Sequence, residues 1–257
     1  MTPATPNKAG IRPFKRVGWK KRIGCITPAV LEMIAFDFYR FAPDGVVLVG
    51  VTDETNSWAP EDIDQVLKSA VDSARYLGGR HVDFVVHAGA AHVASRGPGF
   101  DRVFLADIEA QAGVKATTSV RSAIDAMRHL AIDRVAVASP WPEKIARWVA
   151  DYVESEGVAI AGLRYDDVDF KNLHMVEPEH LVEFAVKTAK AFPNAQALYM
   201  PGPQAPTVMC IEAIEAEIGR PVIASTAADF WAAFHALGLT DRIDGHGILL
   251  RSLSESP

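Results

Sequence analysis

Cysteine is nearly absent from this chain: two in 257 residues, Cys25 and Cys210. They stand far apart and in different contexts, which excludes a disulfide-stapled scaffold. Long apolar runs are also missing. No stretch approaches the roughly 20 residues of a membrane span. The N-terminus, broken by Pro3, Pro6 and Pro13, carries no secretory h-region. A cytoplasmic location without membrane contact is the expectation. Basic charge is in short supply, with 26 Lys and Arg against 32 Asp and Glu and a net charge of −6. That balance argues against nucleic acid as a partner. The one basic cluster, Lys15, Arg16, Lys20, Lys21 and Arg22, reads as a solvated lead-in to the first strand. There is no Gly-x-Gly-x-x-Gly after the first strand and no Gly-Lys-Ser/Thr, so neither a dinucleotide nor a nucleoside triphosphate is expected.

What is present is a regular alternation of short apolar strands and amphipathic helices. Strands are expected at 22–27, 46–51, 82–87, 113–117, 134–138, 158–163, 197–200 and 221–224. Helices are expected up to Tyr39 and at 60–77, 119–130, 142–156, 178–191, 205–218 and 227–237. In the second helix Pro60 opens the first turn, Glu61 and Asp62 suit its positive end, and Ile63, Val66, Leu67, Ala70, Val71 and Ala74 form the apolar face. Apolar strands without polar alternation fit parallel sheets covered on both faces. The pattern restarts after about residue 118. The expected fold is therefore α/β, with two doubly wound parallel-sheet (flavodoxin-like) domains related by pseudo-two-fold symmetry. Residues 1–17 form a flexible N-terminal arm, 18–117 plus 231–257 the first domain, and 118–230 the second.

Ligands of open α/β sheets sit beyond the carboxyl ends of the strands. That rule selects turns at 27–29, 51–53, 87–92, 116–119, 139–141 and 200–207. Two of them echo each other. Asp83–His92 and Ala197–Thr207 each run from a short strand through small residues into an expected helix. Converging N–H groups there favour an anion, most simply a carboxylate.

With these residues in view, the chain resembles the aspartate/glutamate racemase superfamily, and within it the branch of maleate cis-trans isomerase and arylmalonate decarboxylase. The resemblance rests on Arg22–Pro28, Phe38–Val46, Thr117–Ala123, Asn172 and Gly219–Ser225, and spans about residues 20–250. It implies chemistry at an α-carbon without cofactor or metal, in a cleft between two similar domains, and a homodimer or higher homo-oligomer. The family's first cysteine position falls at Gly89 or its neighbour, and its second at Pro201. Carboxylate-holding hydroxyls fall at Ala90 and Ala91, a shared tyrosine at Trp141, and the isomerase asparagine near Leu31. Pro28 and Asn172 are kept.

Without thiols at these positions, imidazole is the natural replacement, since it titrates near neutral pH. His92, His87 and His174 are the candidates for moving a proton. Two of them have plain alternatives: His87 can hydrogen-bond a neighbouring loop and His92 can cap its helix. The spacing of His87 and His92 is not that of a helical zinc pair and no third ligand presents itself, so no metal is assigned. The expected substrate contacts are Thr27, Pro28, Gly89, Ala90, Ala91, Thr118, Trp141, Asn172, Pro201, Gly202 and Gln204. Pro201 and Pro203 remove two N–H donors, leaving Gly202, Gln204 and Ala205 to donate. Cys25 and Cys210 read as small buried hydrophobes. The functional expectation is an isomerase or decarboxylase/lyase acting on a small carboxylic acid, dicarboxylic or ring-derived. The alternatives are a hydrolase with a His-activated water, or a binding protein that has lost turnover.

Overall fold

A computed structural model describes residues 16–254. The expected N-terminal arm lies outside the described residues except for its last two. The chain folds around two parallel sheets of four strands each. The first holds β1 (Lys21–Thr27), β2 (Val46–Thr52), β3 (Phe84–His87) and β4 (Ala116–Thr118) in the order β2-β1-β3-β4. The second holds β5 (Arg134–Ser139), β6 (Ala159–Tyr165), β7 (Ala197–Met200) and β8 (Val222–Ala224) in the order β6-β5-β7-β8. The two orders are the same pattern, which is the pseudo-symmetry expected from the restart of the sequence. Every pairing is parallel. The central strands are closed to solvent on both faces: Ile23, Cys25 and Ile26 of β1 and all of β7 are buried.

Helices α1 (Glu32–Phe41) and α2 (Pro60–Gly78) follow β1 and β2, and the buried stripe of α2 is the apolar face read from the sequence, save that Val71 is only half-buried. A five-residue helix, α3 (Ala90–Ala94), follows β3. Sequence patterning missed α4 (Phe100–Ala112). Its buried face is thin, Asp101, Phe104, Ile108 and Ala112 at three- and four-residue spacings, and one of the four is charged. Helices α5 (Ser119–His129), α6 (Glu143–Ser155) and α7 (Pro178–Ala191) match their expected positions to within a residue or so. The helix expected over 205–218 is a correction. Residues 205–207 are not helical, a 3-10 turn covers Val208–Cys210, and only then does α8 (Ile211–Ile218) begin. Pro206 explains it, because its ring drives Ala205 away from helical angles. Cys210 therefore sits in the 3-10 turn rather than well along a helix.

The two halves meet through α5 and α9 (Ser225–Ala236), which follow the last strand of each sheet and pack together. Ser119 Oγ donates to Asp229 Oδ2 across that seam at 2.6 Å. A second tie joins α4, α5 and α6. Arg121 reaches Asp101 Oδ2 at 2.6 Å and Glu156 Oε2 at 3.0 Å, while the Tyr152 hydroxyl donates to Asp101. Segment 231–257, expected to belong with the first half, touches both within its described part. Phe234 packs on Phe41 at 6.1 Å, yet α10 (Gly247–Arg251) is held on α8 by Glu212, which accepts from Gly247 N at 2.9 Å, and by Glu215, which accepts from Ile248 N.

Candidate functional site

In each sheet the chain reverses direction between its two central strands, β1 and β3 in one and β5 and β7 in the other. Loops leaving such a switch point splay apart and open a crevice. Both crevices contribute to one inner chamber. Pro28 and Ala29 come from the end of β1, Ala88 to His92 from the end of β3, Trp141 from the end of β5, and Pro203 and Gln204 from the end of β7. Thr55 and Trp58, from the loop after β2, and Phe170, from a 3-10 helix at Phe170–Met175, complete the wall. The volume is about 20 Å³, room for about one water. An outer chamber of about 560 Å³ shares Pro28, Ala29, Thr55, Phe170 and Gln204 with it and adds Glu32, Asp53, Glu54, Lys171 and His174. The outer volume falls in the range of small-molecule pockets.

Among the described residues no side chain of Asp, Glu, Lys or Arg lines the inner chamber, and His92 is its one titratable group. His92 is buried, and that burial lowers its imidazole to about 4, so it is neutral at neutral pH. Its Nε2 lies 3.1 Å from Thr55 Oγ1, and Thr55 donates in turn to the Pro28 carbonyl. Trp58 lies against the imidazole at 4.9 Å between centroids, with Phe170 5.7 Å and Trp141 6.3 Å from Trp58. Gln204 Nε2 donates to Thr27 Oγ1 at 3.3 Å, a hydrogen bond that crosses from one half to the other.

Of the residues expected from the sequence, Pro28, Gly89, Ala90, Ala91, His92, Trp141 and Gln204 converge on the inner chamber. Thr27 stands behind it and holds Gln204. His174 lines the outer chamber only, with Nδ1 3.7 Å from Glu32 Oε1. The remaining five lie elsewhere. His87 is fully buried behind the wall, edge-on to Phe104 at 4.9 Å, with neither ring nitrogen hydrogen-bonded. Burial first, and then the charge of His92, lowers it to about 3. Thr118 caps α5 by accepting from Arg121 N at 3.2 Å. Asn172 is exposed and lines neither chamber. Pro201 faces a separate small cleft with Pro140 and Val168. Gly202 adopts φ +109, and a Cβ there would come 2.9 Å from Pro140 Cγ, so the turn needs glycine for its shape rather than for ligand contact. The N–H of Ala205, expected to be free, is used by the Gly202 carbonyl at 3.2 Å.

Sequence reasoning missed Thr55, Trp58 and Phe170; Ala29, Ala88 and Pro203 lie in turns it selected, without being named as contacts. The sheet-end rule had selected the turn after β2 but stopped at Asp53, two residues short of Thr55. Both thiols are distant from the chambers. Cys25 is fully buried in β1 and burial raises its thiol. Cys210 Sγ lies 3.4 Å from the Pro206 carbonyl, and burial pushes it to about 11. Among the described residues no group of three or more His, Cys, Asp or Glu side chains is placed to hold a metal, and no helix is long and apolar enough to cross a membrane.

Comparison with known proteins bears on the family and the fold. Residues 26–250 match the family model described as arylmalonate decarboxylase. The arylmalonate decarboxylase of Bordetella bronchiseptica is 25% identical over 217 residues, covering 84% of this chain and 90% of that protein. A maleate isomerase of Alcaligenes faecalis is 22% identical over 197 residues, covering 74% and 78%. Among solved structures, a liganded double variant of arylmalonate decarboxylase superposes with a TM-score of 0.84 at 24% identity, covering 90% of this chain and 98% of that one. A maleate cis-trans isomerase of Nocardia farcinica carrying a covalent succinylcysteine intermediate gives 0.82 at 21%, covering 90% and 98%.

Proposed function

Because the chain belongs to the arylmalonate decarboxylase family, we propose that it is a cofactor-independent isomerase or lyase acting on a small carboxylic acid, with His92 moving the proton in place of the family's cysteines. Loss of carbon dioxide from a malonate-type diacid is the reaction that the inner chamber suits best. The observation carrying this reading is that His92 is the one titratable group on an otherwise uncharged chamber between two strand switch points.

The chemistry follows from that environment. A carboxylate held in the outer chamber against the mouth of that uncharged inner chamber loses part of its hydration, which favours a transition state where its charge disperses. The bond from the α-carbon to that carboxylate breaks, carbon dioxide leaves, and the electron pair spreads over the α-carbon and the remaining carboxylate as an enediolate. A bound anion beside His92 favours the charged imidazole, reversing the effect of burial. The imidazolium then gives its proton to the α-carbon. Gln204 supplies an amide donor to the remaining carboxylate, and Trp141, Trp58 and Phe170 exclude water. The outer chamber takes the rest of the acid. The relative with a succinylcysteine intermediate uses a thiol; here both thiols lie away from the chambers, so no covalent step is included. The reading also carries the cytoplasmic location expected from the sequence and the self-association implied by the family resemblance, the latter of which sedimentation would check.

The test is turnover of a panel of malonates, maleate, hydantoins and lactones by the wild type and by His92→Gln. The expected result is conversion of a malonate by the wild type and a loss of about 10²- to 10⁴-fold in the variant, with ligand binding retained in a thermal-shift assay. Binding without conversion of any compound would refute catalysis and favour a non-catalytic acid-binding protein. A second reading has one observation in its favour: the inner chamber has the volume of one water beside the imidazole. Conversion confined to the lactones or hydantoins would establish hydrolysis instead.

A further inference from the structure

The geometry points to Thr55 as a positioning residue that fixes which nitrogen of His92 faces the reaction. Thr55 has a single hydroxyl proton. Its oxygen lies within hydrogen-bonding distance of two groups, the Pro28 carbonyl and His92 Nε2. The carbonyl can only accept, so the hydroxyl proton belongs to it. Were that proton turned toward the imidazole, two lone-pair-bearing oxygens would face each other at closer than ordinary contact. The Thr55 oxygen is therefore an acceptor toward His92, and Nε2 must carry the hydrogen. A neutral imidazole holds one N–H, so Nδ1 is left with its lone pair and makes no hydrogen bond within the protein.

The arrangement is held on every side. Thr55 is 8% exposed and His92 5%, so water does not compete freely for either. Trp58 covers one face of the ring at 4.9 Å. Ser95 Oγ donates to the His92 carbonyl at 2.7 Å and steadies the short α3 backbone. Pro28, whose carbonyl receives the Thr55 proton, follows directly on β1. The relay from strand end to hydroxyl to imidazole thus sets the tautomer as part of the fold. Partners that orient a functional histidine in this way act by holding the second nitrogen.

The inference rests on His92 being the proton-transfer group, and one experiment separates the two. Nitrogen-15 NMR of the wild type near neutral pH should show His92 as the neutral Nε2–H tautomer. Thr55→Val, which keeps the shape and removes the acceptor, should lose that single tautomer and lower turnover by about 10-fold or more. Thr55→Ser should restore both. A wild-type His92 protonated at Nδ1, or a Thr55→Val protein with an unchanged tautomer, overturns the inference. If the tautomer responds as stated while His92→Gln retains full turnover, the positioning stands and the proposed function fails.

Discussion

Gly89→Ala should destabilise the protein, and a second substitution at His87 should cancel most of the cost. A Cβ built on Gly89 comes 2.5 Å from His87 Cε1 and 3.1 Å from Pro28 Cγ. The backbone of Gly89, at φ −139 and ψ 60, is not in the left-handed region, so the obstacle is steric. The His87 ring is fully buried, edge-on to Phe104, so moving it aside displaces packed neighbours. Overpacking of this kind costs about 1–3 kcal/mol. For a chain of this size that is a fall in Tm of about 2–4 °C per kcal/mol. His87→Ala removes the ring. Alone it leaves a cavity, but it also removes two buried nitrogens that have no partners. In the double variant the new methyl group enters space that the ring has left. Urea denaturation of the four proteins closes a double-mutant cycle, and the expected coupling is about 1–2 kcal/mol in favour of the double variant. Additivity within about 0.5 kcal/mol would refute the packing argument. The cycle bears on chemistry too. Position 89 is where the family resemblance puts a thiol, and on this argument a cysteine could enter only after His87 is made smaller.

Asp229, buried at the seam between α5 and α9, is pushed up to about 7 by burial, with its hydrogen bond to Ser119 offsetting part of the effect. A carboxyl whose folded value is raised favours folding below about pH 4, and that contribution is lost as pH rises toward 7, at about 1.4 kcal/mol per unit. The stability of wild type minus that of Asp229→Asn, followed by chemical denaturation from pH 4 to 7, should therefore decline; a flat difference would show that the carboxyl is solvated. Both thiols are buried and both are raised by burial, so neither should react with a thiol reagent at pH 8 in the native protein, and both should react in urea. Rapid native modification accompanied by loss of turnover would return the chemistry to sulfur.

Much of the fold was legible because its determinants are local. Val-rich runs without polar alternation, Pro60 and Pro178 at helix starts, and the restart after Thr118 all follow from short-range rules, and the two sheets fall where those rules put them. The failures are equally physical. Helix α4 has an apolar face of three residues plus Asp101, whose charge is matched by Arg121 on another element, and no window along the sequence reveals such a partner. Pro206 acts against the periodic pattern over 205–218, because its ring keeps Ala205 from helical angles and delays the helix. For the site, the sheet-end rule located the turns but could not tell which side of a turn faces the chamber. Pro201 and Gly202 lie in the selected turn, but Pro201 lines a separate cleft and Gly202 lines neither chamber, while Pro203 and Gln204 line the inner one. His87 and His92 are five residues apart, but one ends a strand inside the core and the other sits on the first turn of a helix, so only one reaches the chamber.

The proposed exchange of a thiol for an imidazole on this scaffold would have a physical logic in the chamber's lack of charge. A buried thiol needs nearby donors or cations to ionise, and the turn at 201–205 has given up donors to two prolines and to its own Gly202 carbonyl. An imidazole needs no such help to be neutral; burial alone ensures it. On the proposed reading it becomes an acid only when an anion arrives, so that the substrate would supply the charge that arms the proton donor. On this view the empty enzyme holds no charged group at its centre, and the pairing of imidazolium with carboxylate forms only in the complex. A measurable consequence is proton uptake on binding. Titration calorimetry of a malonate in two buffers of different ionisation enthalpy, near pH 7, should report up to one proton taken up by the wild type and none by His92→Gln. Equal uptake in both proteins would place the proton elsewhere and remove His92 from the role argued for it.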